Sequence, residues 1–131
     1  MKLVKDHQSN IEPTKSELEI LQVLWEFGPS TVRVVNDKLN EKKDVNYTST
    51  LKLMQIMADK GIVKRDESQM KHIYHVAEEE EITKEHLLQK FVDSMYRGSA
   101  SNLVMQLLGN KKASKEDIAS IKEILNKLEK E

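Results

Sequence analysis

The chain of 131 residues has no cysteine, which excludes disulfides and thiolate metal centres and fits a reducing compartment. Proline occurs twice and glycine four times, so the few breaks they make punctuate the chain clearly. Neither sign of charge dominates: 21 basic against 22 acidic residues leave a net charge of -1, which excludes both a polybasic tail and a disordered acid. No apolar run approaches the roughly 18 residues of a membrane span, and "MKLVKDHQSN" carries acid and polar residues too early for a signal peptide. A cytoplasmic protein without a membrane partner is expected, long enough for one compact core or two small ones. Catalytic constellations are missing as well. His72 and His75, three apart on an expected strand, point to opposite faces and cannot share a metal. The acidic residues have no histidine or glycine-loop partners, so no enzyme activity, metal or cofactor is expected.

What is present is helical periodicity. After an N-terminal arm over 1–13, expected to be flexible, Thr14 and Glu17 make a capping box. Leu18, Leu21 and Trp25, with Ile20 and Leu24, then define a buried face. Gly28 and Pro29 end that helix, and Ser30 or Thr31 caps a shorter one with Val32, Val35 and Leu39 inward. The charged loop "NEKKD" leads to "NYTSTLKLMQIMADKGIVKR", where Thr50, Leu53, Met54 and Met57 repeat at core spacing. "IVKR" and "HIYHV" read as short strands around the polar loop "DESQMK", too long for a tight turn. The fold class expected is mainly α with a small β-hairpin: a winged helix-turn-helix over 14–77, then a helical domain over 82–131. The run "EEEE" at 78–81 marks the boundary. Leu87, Leu88, Phe91, Val92 and Met95 form one apolar stripe of the tail; Leu103, Val104, Leu107 and Leu108 form a second; Ile118, Ile121, Leu125 and Leu128 form a third. Three short amphipathic helices make a marginal core, so a second copy of the chain is the expected partner.

The helix opening at Tyr47 turns Thr48, Ser49, Lys52, Gln55 and Ile56 away from its core stripe. Hydroxyls and amides can read base edges, lysine can reach guanine or phosphate, and isoleucine can meet a thymine methyl. Thr31 and Arg33 open the preceding helix, where free amides favour phosphate. Tyr47 can donate to a phosphate, and Lys71 and His72 sit on the presumed wing. Lys42, Lys43, Lys60, Lys64 and Arg65 thicken the positive field, diluted by Asp44, Asp59, Asp66 and Glu67. The same residues also read as a solvated helix flank with ordinary surface charges.

A resemblance accompanies this pattern. Leu24-Trp25, Gly28-Pro29, Thr31-Val32-Arg33, Tyr47-Thr48-Ser49, Lys60-Gly61 with Val63, and Tyr74 resemble the penicillinase-repressor family of bacterial transcription regulators. "YRGSASNLVMQLL" is similar to that family's dimerisation segment. The resemblance implies a winged-helix homodimer that blocks transcription from a palindromic double-stranded DNA operator, with the third helix in the major groove. The apolar stripes of the tail put the expected dimer seam at Leu88, Phe91, Met95, Leu103, Leu107, Ile121 and Leu125. Release by an inducing protease is implied too, at a dipeptide equivalent to Gln106-Leu107. The chain departs from the family in lacking the copper branch's cysteines and in carrying Gln-Leu where the β-lactam branch has Asn-Phe. It also has Ile56 where a basic residue is common, and a wing without glycine. The rival expectation is a winged helix used as a protein-interaction module.

Overall fold

In the computed structural model the described residues are 9–109 and 114–130. They form six helices and one antiparallel hairpin: α1 (Lys15–Phe27), α2 (Val32–Asn40), α3 (Tyr47–Asp59), β1 (Val63–Asp66), β2 (Ile73–Val76), α4 (Glu80–Tyr96), α5 (Ala100–Gly109) and α6 (Lys115–Lys130). The chain divides into two units, residues 1–87 and 88–131, the division falling inside α4.

The first unit is a winged helix-turn-helix. The box at the start of α1 is formed as expected: Glu17 N–H donates to Thr14 Oγ1 at 3.2 Å, and Thr14 N–H donates to Glu17 Oε1 at 2.8 Å. The same Glu17 carboxylate is buried and receives Lys60 Nζ, from the C-terminus of α3, at 2.8 and 3.0 Å. Burial pushes the Glu17 carboxyl upward, but the Lys60 and Thr14 contacts outweigh it and hold the group below 4.5. Gly28 closes α1 at φ 79°, a conformation other residues adopt at a cost. Ile20, Leu21 and Leu24 of α1, Val32 and Val35 of α2, Met54 and Met57 of α3, and Ile62, Val63 and Tyr74 of the hairpin then close one apolar core. Leu18 and Trp25 pack only partly buried at its edge.

Gly61, also at φ 79°, turns the chain from α3 into the hairpin, whose register runs from Val63 opposite Val76 to Asp66 opposite Ile73. β1 lies one residue later than "IVKR" implies, and β2 begins one residue later than "HIYHV" but ends with it at Val76, so His72 stands in the loop and not on β2. Asp66 explains the extension, because its carboxylate accepts the Ser68 N–H at 2.9 Å and turns the chain only after the fourth strand residue. Ser30, a candidate helix cap in the sequence, forms a β-bridge instead. Its N–H donates to Tyr74 O at 3.0 Å and Tyr74 N–H donates to Ser30 O at 2.8 Å, fixing the wing to the α1–α2 turn.

Two expectations near the ends of this unit change. Of the arm over 1–13, residues 1–8 lie outside the described residues. Ser9, however, is buried with its hydroxyl donating to Glu78 Oε1 at 2.6 Å, and Ile11 packs against the core. The acidic run 78–81, read as a boundary, is shared between contacts of the head and the start of α4. Glu78 also accepts the Thr83 hydroxyl, while Glu80 and Glu81 form the first turn of α4, where negative charge is favoured by the helix dipole.

In the second unit α4 ends at Arg97 (φ 52°) and Gly98 (φ 85°). Ser114 and Asp117 cap α6 reciprocally, at 3.0 and 3.2 Å. Neither α5 nor α6 contains a buried residue. Leu88, Phe91, Met95, Leu107 and Leu125 are exposed, Leu103 and Ile121 half-buried, and Val92 is the one buried apolar side chain described here. No helix among the described residues is long and apolar enough to cross a membrane.

Candidate nucleic-acid interface

The hydroxyl cluster that opens α3 divides its labour. Asn46 is the cap, its Oδ1 accepting Ser49 N–H at 2.8 Å. Thr50 faces the core, its hydroxyl oxygen accepting Asn36 Nδ2 at 2.8 Å. Thr48 and Ser49 therefore serve neither the cap nor the core through their side chains. With Lys52, Gln55 and Ile56 they form an exposed strip along α3. Five residues that the periodicity placed on one face do share it. Their side chains have no hydrogen-bond or ion-pair partner among the described residues.

A polar clamp holds this helix in place. The buried amide of Asn36, on α2, donates to Val45 O at 3.0 Å as well as to Thr50. One turn later Asn40 donates to Val45 O at 2.8 Å and to Asn36 O at 2.8 Å, and accepts Val45 N–H at 3.1 Å. The loop 41–45, charged and otherwise unremarked in the sequence, is thus closed by two asparagines on one face of α2. The α2–α3 angle rests on hydrogen bonds as well as on Val35 and Met54. Each buried partner left unmatched costs about 1–3 kcal/mol, so the clamp is expensive to break.

Beside the strip lies a groove of about 510 Å³. It gathers Thr31, Arg33, Tyr47, Gln55, Lys71 and His72, six of the ten candidate DNA-contacting residues, from three separate elements. Thr31 caps α2 by accepting Val34 N–H at 3.2 Å, which leaves its own O–H free to donate into the groove. The Arg33 guanidinium lies over the Tyr47 ring at 4.4 Å from its centroid, so the cation is pre-positioned by stacking on α3. Thr48, Ser49, Lys52 and Ile56 stand outside the groove on the exposed strip. Two charged groove residues were not singled out as contacts: Arg65, directly across the ladder from Tyr74, and Glu67. The Tyr74 hydroxyl, and after it the Glu67 carboxylate, raise the Arg65 pKa further, so it is a cation throughout the working range. The signal for Arg65 was strand alternation, which puts it on the same face as Val63 and, across the ladder, as Tyr74.

The arrangement offers cations, hydroxyls and an amide on one convex helix and its flanking groove. Among the described residues no group of three or more His, Asp or Glu side chains is placed to hold a metal ion. In the tail, Gln106 and Leu107 lie on α5, three and two residues before its last residue, Gly109.

The sequence matches the penicillinase repressor family over residues 13–127, which takes in both the winged head and the helical tail. The methicillin resistance regulatory protein MecI of Staphylococcus aureus (strain N315) is 22% identical over 116 residues, covering 88% of this chain and 94% of the relative. The proteins of that name from Staphylococcus epidermidis and Mammaliicoccus sciuri, at 22% and 21% identity, align over the same shares. With the match running almost end to end, over an architecture of winged helix and helical tail, the chain belongs to the penicillinase repressor family.

Proposed function

We propose that the protein is a cytoplasmic transcriptional repressor that binds a palindromic operator as a homodimer, with α3 in the major groove. The observation that carries this reading is the free polar strip of α3 beside a groove that collects Arg33, Arg65 and Lys71. Thr48, Ser49, Lys52, Gln55 and Ile56 read base edges. Thr31, Arg33, Tyr47, Lys71 and His72 take the phosphates on either side. In such an interface phosphate contacts set the register and base contacts set the sequence. Two heads on one dimer meet half-sites about 34–36 Å apart, or a multiple of this. The tail supplies the seam, since the apolar stripes at Leu88, Phe91, Met95, Leu103, Leu107, Ile121 and Leu125 are largely uncovered within one chain.

Release follows from the same arithmetic. Tethering two heads multiplies operator affinity by roughly 10²–10⁴, so separating the tails lifts repression without touching α3. Cleavage at Gln106-Leu107 by an inducing protease would detach α6 and its stripe. Both residues are exposed near the end of α5, where fraying gives a protease the extended backbone it needs. Protein ending at Gln106 should be monomeric and hold a half-site weakly. Undiminished dimerisation of that truncated form would remove cleavage there as the switch.

The direct test of the interface is a titration of Lys52→Ala and Ser49→Ala against duplex selected from random DNA, over several salt concentrations. Lys52→Ala should lose about 1–3 kcal/mol of binding, Ser49→Ala less, with folding unchanged because both side chains are exposed. Binding should also weaken by orders of magnitude over a modest rise in salt. Full affinity in both variants would take α3 out of the groove, and salt-insensitive capture of a protein partner would favour an interaction module.

A further inference from the structure

Glu67, the first residue of the wing loop, is a carboxylate in a groove otherwise suited to anions. Its Oε2 lies 3.7 Å from Arg65 Nε and its Oε1 lies 3.9 Å from His72 Nε2, a contact that is an ion pair when His72 is protonated. Arg65 stands beside Tyr74, its partner across the ladder on the same face. Carboxylates and phosphates are interchangeable partners for a guanidinium, since each offers two oxygens to the same fork of donors. Both contacts are longer than a hydrogen bond, and the Glu67 side chain is more than half exposed, so it is seated loosely and can be displaced. The adjacent Asp66 is not available for this seat, because its carboxylate is engaged with the Ser68 N–H.

Resting on the operator-binding reading above, we propose that Glu67 is an internal stand-in for a DNA phosphate. It occupies Arg65 and His72 in the free protein and gives them up when the duplex backbone enters the groove. Arg65 is then a phosphate anchor of the interface, and Glu67 a competitor built into the wing. The competition weakens binding to every duplex, and only one that makes the full set of α3 contacts overcomes it. A uniform penalty of this kind leaves the ratio of affinities between duplexes unchanged and raises the protein concentration at which any of them is occupied.

The test is a double-mutant cycle on the full-length protein: wild type, Glu67→Gln, Arg65→Gln and the double variant, each titrated against the selected duplex at fixed salt. The Glu67 side chain is 57% exposed and that of Arg65 32%, so Glu67→Gln should melt like the wild type, and the melting curves of the two Arg65→Gln proteins establish that they are folded before titration. Glu67→Gln should bind roughly three- to thirtyfold more tightly per dimer, the range for loosening an exposed ion pair in each of two heads. Arg65→Gln should bind more weakly, and adding Glu67→Gln to it should restore less than about twofold, because the seat is gone. Equal affinity of wild type and Glu67→Gln overturns the proposal, as does an undiminished gain in the Arg65→Gln background, which would mark a general charge effect. In either case operator binding by the wild type still stands. Wild-type protein that binds no duplex at any salt concentration overturns the operator reading and the role of Glu67 together.

Discussion

The two units of this chain spend similar apolar residues in opposite ways. In the head, Ile20, Leu21, Val35, Met54, Met57 and Ile62 are at most 2% exposed, and three helices and a hairpin close over them. In the tail, Leu88, Phe91, Met95, Leu107, Leu125 and Leu128 each leave between 45% and 63% of their surface uncovered. The patterns look alike in sequence, since both repeat at helical spacing. What separates them is whether neighbouring elements of the same chain are placed to meet the stripe. A stripe met from within makes a self-sufficient core; a stripe left open is an interface in waiting. On the proposed reading the head carries recognition and the tail carries stoichiometry.

The comparison can be broken first in the tail. Phe91→Asp puts a charge in the proposed seam at a position exposed in the single chain, so the tail helices should persist while the dimer fails. Sedimentation should show monomer, and operator affinity should fall by roughly 10²–10⁴ as the second head is lost. A variant that still sediments as a dimer would place the seam elsewhere.

The reverse experiment is a core truncation in the head. Met54→Ala removes a fully buried side chain between α3 and the rest of the core and should cost about 2–5 kcal/mol of stability in denaturant unfolding. Leu125→Ala in the full chain, by contrast, should leave the unfolding transition of the head untouched. An equal loss at both positions would mean that the two stripes are not different in kind.

Asn36 sharpens the comparison within the head. Asn36→Ala leaves the Thr50 hydroxyl without its donor and weakens the hold on Val45 O, for about 1–3 kcal/mol of stability. Operator binding should drop further than the stability loss alone explains, since the clamp sets the pose of α3. Unchanged affinity in the folded variant would show that packing alone positions the reading helix.

Much of this architecture was legible in the sequence, because periodicity and caps are local. The Thr14–Glu17 and Ser114–Asp117 boxes, the break at Gly28, the stripe from Thr50 to Met57 and the exposed strip opposite it all lie within a turn or two of their signals. What periodicity could not carry were polar pairings between distant residues. Asn36 with Thr50, Glu17 with Lys60 and Ser9 with Glu78 join positions 14, 43 and 69 apart. Nothing in a buried asparagine or glutamate announces its partner. The acidic run at 78–81 reads as a boundary because like charges repel in solvent, and its role as a helix start depends on a helix dipole and on two hydroxyls distant or later in the chain. The groove residues were individually visible as surface charges, yet the stacking of Arg33 on Tyr47 and the seat of Glu67 depend on how three elements meet.

The smallest effect expected is the pH dependence of the head. The folded Glu17 carboxyl titrates below its ordinary 4.5, so its charged form is favoured by folding. That contribution is complete above pH 4.5 and is lost as pH falls through the lowered folded value. Because Lys60 is partly exposed, the effect should be about 1 kcal/mol. Unfolding curves of wild type and Glu17→Gln should converge in acid; parallel curves down to pH 3 would show that the Lys60 pair contributes nothing.

The most direct measurement compares the full chain with a fragment ending at Leu87, the last residue of the first unit, on one selected palindromic duplex. The fragment keeps every core residue of the head together with Glu78 and Thr83. It should fold as a monomer and bind each half-site independently, with the steep salt dependence of the full chain and roughly 10²–10⁴ less affinity. A fragment that dimerises and holds the duplex as tightly as the full chain, or one that folds yet shows no salt-dependent binding, would contradict the division between a reading head and a coupling tail.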